Sequence, residues 1–96
     1  MIETIKKEMN ILKLRYVGET FGALSLTNGE VYTAIDEDQD YYRVIDDSEE
    51  DYLYSKTNPS PCDGSSPGGK WEIVSEEEGI FTFTVYLEGD SLIDKK

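Results

Sequence analysis

Tyr41-Tyr42-Arg43-Val44-Ile45, Asp46-Asp47-Ser48-Glu49-Glu50 and Asp51-Tyr52-Leu53-Tyr54 are consecutive, and together they decide the fold class. The first and third segments are rich in aromatic and β-branched residues, which fit a pleated, half-buried surface. The middle segment is all acid and serine and breaks any apolar run. Two strand-like runs either side of a short polar break read as an antiparallel hairpin.

Working outward, the same grammar repeats. Upstream, Val31-Tyr32-Thr33-Ala34-Ile35 is a further strand, separated from Tyr41 by the loop Asp36-Glu37-Asp38-Gln39-Asp40. Leu24 and Leu26 precede it, with Thr27-Asn28-Gly29 as a tight turn. Leu12, Leu14 and Tyr16 alternate with Lys13 and Arg15, a period of two that marks a strand with one wet face. Residues 1–10 break that period: Ile2, Ile5 and Met9 recur at helical spacing, so a short N-terminal helix or arm is expected there. Downstream, residues 55–70 hold all three prolines and no periodicity, and read as a long surface loop. Trp71-Glu72-Ile73-Val74 reads as a short strand, Ser75 to Gly79 as an acidic turn and Ile80 to Leu87 as a last strand. In that last strand Phe81, Phe83, Val85 and Leu87 share one face, which must pack on the body or pair with a second copy. A monomer is the default expectation, and a homodimer through 80–87 the alternative. The expected organisation is an arm over 1–10, a β domain over 11–88 and a tail over 89–96. Short strands with tight turns and no crossover helix make an all-β domain, and at 96 residues a small antiparallel barrel of five to seven strands fits best.

Composition narrows the partners. The formal net charge is −12, and residues 16–94 carry 19 acids against Arg43, Lys56 and Lys70, or −16 for that stretch. Such a body repels phosphate backbones and anionic membrane surfaces, so neither nucleic acid nor lipid is an expected direct partner. No run of roughly 18 apolar residues occurs that could span a bilayer. The start of the chain lacks the apolar stretch of a secretory signal, and the single Cys62 has no disulfide partner within it; both point to the cytoplasm. Cys62 has no histidine anywhere to serve as its base and reads as a spectator thiol.

The stretch from Leu14 to Val74 resembles a family of small uncharacterised SH3-like proteins from Gram-positive bacteria and their phages. The residues that carry the resemblance are Tyr16-Val17-Gly18, Leu26-Thr27-Asn28-Gly29-Glu30-Val31-Tyr32, Tyr42-Arg43-Val44-Ile45-Asp46-Asp47, Asp51-Tyr52-Leu53-Tyr54 and Trp71-Glu72-Ile73-Val74. It implies an SH3-like barrel closed by pairing of the Trp71 strand beside the Leu14 strand. It implies almost nothing about activity, since function on a shared fold sits in grafted sites. Residues 55–70 and the strand after Gly79 exceed the shortest members, and specific function is expected in those additions.

Chemistry-bearing motifs are sparse. Asp36, Asp38 and Asp40 have the spacing that opens a calcium loop, but the sixth place holds Tyr41 where glycine is needed and the twelfth holds Asp47 rather than a bidentate Glu. No metal or cofactor is expected. The carboxylates of 46–51 and 76–78 lie in turns, where water keeps neighbouring acids ionised, so no acid–base pair is expected either. Ser65-Ser66-Pro67-Gly68-Gly69-Lys70 lacks the spacing of a phosphate loop and has no helix behind it. The expected activity is therefore non-catalytic. The tyrosines are more suggestive: those not used in the core, with Trp71 and the proline-rich loop, could form an aromatic groove for an extended peptide. The leading expectation is a protein-binding module for a basic partner or peptide. Tyr32, Tyr41, Tyr42, Tyr52, Tyr54 and Trp71 would give contact area, and Asp36, Asp38, Asp40, Asp46, Asp47, Glu49 and Glu50 the attraction. The alternative is an acidic mimic of nucleic acid that blocks a DNA- or RNA-binding protein; a third reading is a small-ligand binder or enzyme.

Overall fold

A computed structural model describes residues 2–22, 24–61 and 64–86. These form five antiparallel strands and no helix: β1 (Ile2–Gly18), β2 (Val31–Asp36), β3 (Tyr41–Ile45), β4 (Asp51–Ser55) and β5 (Gly69–Tyr86). Their order in the sheet is β4-β3-β2-β1-β5, so β4 and β5 are its two edges and the hydrogen-bonded sheet does not close on itself. Cys62 and the expected tail over 89–96 lie outside the described residues.

The strands read from the sequence at 31–35, 41–45 and 51–54 are β2, β3 and β4, and β3 pairs β4 in the hairpin register Val44 opposite Tyr52. The Trp71 strand lies beside the Leu14 strand, with Tyr16 opposite Trp71 and Leu14 opposite Ile73. Two expectations are corrected. Residues 2–10 are neither helix nor loose arm but the first half of β1, and the strand passes through residue 10 without a break. Residues 75–79 are no turn: β5 continues through Glu76, Glu77 and Glu78, which face Leu12, Ile11 and Asn10. One cause explains both. Each segment finds its hydrogen-bond partner in the other, from Ile2 opposite Tyr86 inward, and that ladder overrides the local spacing of Ile2, Ile5 and Met9. A register shift between Lys13 and Leu14 leaves an extra β5 residue, a bulge that bends the ribbon. Among the described residues no helix is long and apolar enough to cross a membrane.

The bend gives the sheet a core on each face. Alternate residues of a strand point to opposite sides. Leu12, Leu14, Tyr16, Tyr32, Ala34 and Val44 form one core, capped by Phe21 and Leu26 from the β1–β2 loop and sealed by Trp71. Ile11, Ile35 and Phe81 form the other, with Met9, Ile45 and Phe83 packed against them. The outer half of the β1–β5 ribbon thus covers the second face of the central strands. A polar latch holds it down: the Thr84 N–H donates to Asp51 Oδ1 (2.8 Å), while Arg43 Nη1 reaches Asp51 Oδ2 at 3.1 Å. Of the face expected to need cover, Phe81 and Phe83 are packed on the body, and Leu87 lies outside the described residues. At the start of β5, Gly18 and Gly69 face each other so closely that a Cβ on either would strike the other's Cα, so only glycines allow the strands to meet there.

Candidate functional site

Three loops and one strand edge meet around a concave groove of about 340 Å³. The first loop is the tip of the β1–β2 connection, where Phe21 and Leu26 pair main chain to main chain and Gly22 turns the chain at a φ of 71°. A left-handed φ of that kind favours glycine. Between them Leu24 stands 62% exposed at the groove's rim. The second loop is the acidic β3–β4 turn, and the third brings in Ser60 and Pro61 after a fully buried Pro59. The strand edge is β4, which lends Tyr52, Leu53 and Tyr54.

The turn is wired to its surroundings by two carboxylates. Asp46 is 5% exposed; its Oδ1 accepts from the Ser48 N–H (2.9 Å) and hydroxyl (2.5 Å), and its Oδ2 from the Tyr54 hydroxyl (2.7 Å). Asp47 accepts from the Tyr32 hydroxyl (2.9 Å) and the Thr27 hydroxyl (2.8 Å), and its N–H donates to the Ser25 carbonyl (3.0 Å). Asp47 thereby ties the β1–β2 loop to the β3–β4 turn, and the groove lies between them. Burial pushes the Tyr54 phenol well above its ordinary range, and the Asp46 carboxylate raises it further. Burial is also the main cause that lifts Tyr32 to about 12. Both phenols therefore stay protonated donors across the ordinary pH range.

Not all the residues expected to contact a partner are left at the surface. Trp71 sits at the centre of a ring cage, with Tyr16, Tyr32, Tyr42 and Tyr54 edge-on to it at centroid distances of 5.7, 6.3, 6.3 and 6.2 Å. Its indole N–H donates to the Ser55 carbonyl (3.0 Å). Tyr32, Tyr42, Tyr54 and Trp71 are thus chiefly core, while Tyr41 and Tyr52 are exposed. Tyr52 donates its hydroxyl to Glu50 Oε1 (2.9 Å) on the groove side. Asp46 and Asp47 are internal acceptors rather than outward charges. Glu49 is exposed, held by the turn at a φ of 69°.

The second acidic loop, between β2 and β3, lies apart from the groove. Asp36 accepts from Lys56 Nζ (2.6 Å), and Asp38 Oδ1 caps the loop by accepting the N–H groups of Asp40 (2.8 Å) and Tyr41 (2.9 Å). Asp40 is exposed, and its carbonyl accepts the Lys56 N–H. The calcium-like spacing is therefore spent on turn geometry. Among the described residues no group of three or more acidic or cysteine side chains is placed to hold a metal.

Phe21, Leu24 and Leu53 were not expected in the groove, whereas the proline-rich loop expected there contributes Ser60 and Pro61. For Leu24 there was a signal: a large apolar residue two places after a turn glycine, with no strand to bury it. Searches against protein-family models, curated proteins and solved structures give no significant match for this chain, so the site is read from its own geometry.

Proposed function

We propose that this chain is a non-catalytic protein-binding module, and that the groove between the β1–β2 loop, the β3–β4 turn and β4 receives a basic peptide segment. One observation carries the reading: Leu24, Tyr52 and Leu53 stand exposed around a single concavity beside a turn dense in carboxylates. Apolar surface exposed around a groove marks an interaction surface, and Glu49 and Glu50, rather than the internal acceptors Asp46 and Asp47, select the charge of what enters. The acid in the groove argues for binding over chemistry, because both Asp46 oxygens are already committed to Ser48 and Tyr54. Carboxylates divided among 36–40, 46–51 and the middle of β5 favour the module over a nucleic-acid mimic, which needs them arrayed along one face. The finer fold assignment we favour is an SH3-like barrel, supported by the strand order and the pairing of Trp71 beside the Leu14 strand. A cytoplasmic setting fits the lone Cys62.

Selection of binders from a random peptide display library tests the reading. Basic peptides should emerge, weaken at high salt and lose at least about ten-fold in affinity against Tyr52→Ala or Leu24→Ser, the scale of a contact hot spot. Selection of no peptide, or of peptides indifferent to both substitutions, would overturn it.

A further inference from the structure

The register of β4 says how such a segment would be held. Bonded pairs alternate along an antiparallel ladder. The Asp46 N–H donates to the Glu50 carbonyl (3.2 Å) and the Lys56 N–H to the Asp40 carbonyl (2.9 Å). These bonds bracket the pairs Val44–Tyr52 and Tyr42–Tyr54 at even spacing. Tyr52 and Tyr54 therefore turn their main-chain groups toward β3, and Asp51, Leu53 and Ser55 turn theirs away. The Ser55 carbonyl agrees, since it takes the Trp71 indole N–H from the far side. Because β4 ends the sheet among the described residues, the N–H and C=O of Leu53 face outward there at the middle of an open edge.

The groove confirms that this edge is accessible. Tyr52 and Tyr54 lie on one face of β4 and Leu53 on the other, yet all three line the same concavity, which must therefore wrap the edge. Tyr52 is 48% and Leu53 47% exposed. The two acidic loops stand at the two ends of this strand, 46–50 running into Asp51 and 36–40 joined to Lys56 beyond Ser55.

We propose that an extended segment of another protein, basic on both sides of an apolar centre, adds to the sheet as a sixth strand along β4. Its main chain pairs with Leu53, its central side chain enters the groove, and its basic residues lie toward the two acidic loops. The proposal rests on the binding-module reading and supplies its mode. Charge selects the occupant. Antiparallel pairing of β4 with β4 of a second copy would set loop 46–50 of one molecule against loop 36–40 of the other, acid against acid.

The probe is a capped heptapeptide with an arginine at each end and valine-threonine-valine-threonine-valine between, so that valine stands at the centre, titrated against the whole chain. Two N-methylated versions, blocking alternate residues, separate strand addition from side-chain contact alone. One pattern points its methyl groups at β4, and the other points them away. Affinity should fall at least about ten-fold for one version and stay unchanged for the other, as expected when hydrogen bonds worth about 1 kcal/mol each are lost. On binding, the Leu53 amide should become protected from solvent exchange. Leu53→Pro removes that donor at an edge position where proline is tolerated, and should abolish binding. No binding by the heptapeptide, or equal affinity for both methylated versions, would overturn strand addition. If library-selected peptides still lose affinity on Tyr52→Ala but ignore Leu53→Pro, the module stands without it.

Discussion

The two acidic loops have nearly the same composition and opposite fates. Asp36-Glu37-Asp38-Gln39-Asp40 lies exposed, with Asp36 held by the half-buried Lys56, Glu37 by Arg43 and Asp38 by the loop's own N–H groups. Asp46-Asp47-Ser48-Glu49-Glu50 turns its first two acids inward, where they accept from Tyr54, Tyr32, Thr27 and Ser48. What separates them is the supply of hydroxyl donors from neighbouring strands. A carboxylate beside a buried tyrosine becomes part of the frame, and one beside water remains a surface charge.

Substitutions in the two loops should differ widely in cost. Asp46→Ala leaves the Tyr54 hydroxyl and the Ser48 N–H and hydroxyl without their acceptor in a buried place. It should cost about 3 kcal/mol by chemical denaturation, at one to three for each orphaned buried group. Tyr54→Phe deletes one donor and keeps the ring in the Trp71 cage, so about 2 kcal/mol is expected. A loss near zero would show that water replaces the hydroxyl.

Alkaline titration sharpens the contrast. Tyr32 holds its proton to about 12 when folded, against an ordinary value near 10 once the chain is unfolded. Tyr54 is raised as well. The unfolded state therefore releases these protons first, so this contribution to stability is complete below about pH 10 and declines from there toward pH 12. Denaturation followed across that window should show the decline, and Tyr32→Phe should flatten it. Smallest of all is Asp38→Ala in the open loop. It removes an exposed cap and should change stability by no more than about 0.5 kcal/mol, read in the same denaturation experiment.

The sequence was most legible where one face of a strand is wet or a turn is tight. Alternation at Leu12–Tyr16 and the β-rich runs at 31–35, 41–45 and 51–54 mark real strands because each satisfies its own local pattern. Residues 2–10 and 75–79 do not. Residues 3–8 and 76–78 are exposed, so burial imprints no period of two, and only the distant partner strand makes them extended. For the site, the excess of acid and tyrosine was plain, but their division into frame and surface was not. Which tyrosine meets Trp71 and which meets water depends on how the bulged ribbon crosses the sheet, and no spacing along the chain encodes that crossing.

That ribbon carries one more consequence. Its rungs join Ile2 to Tyr86 and Gly18 to Gly69, so the most extensive pairing in the fold links the most distant parts of the described chain. Contacts so remote in sequence form late, because closing a long loop costs entropy before any rung repays it. During synthesis β1 emerges first and β5 last. While everything between the two strands is being made, the outer half of β1 is a strand without its mate, and the second core cannot assemble until Phe81 has left the ribosome.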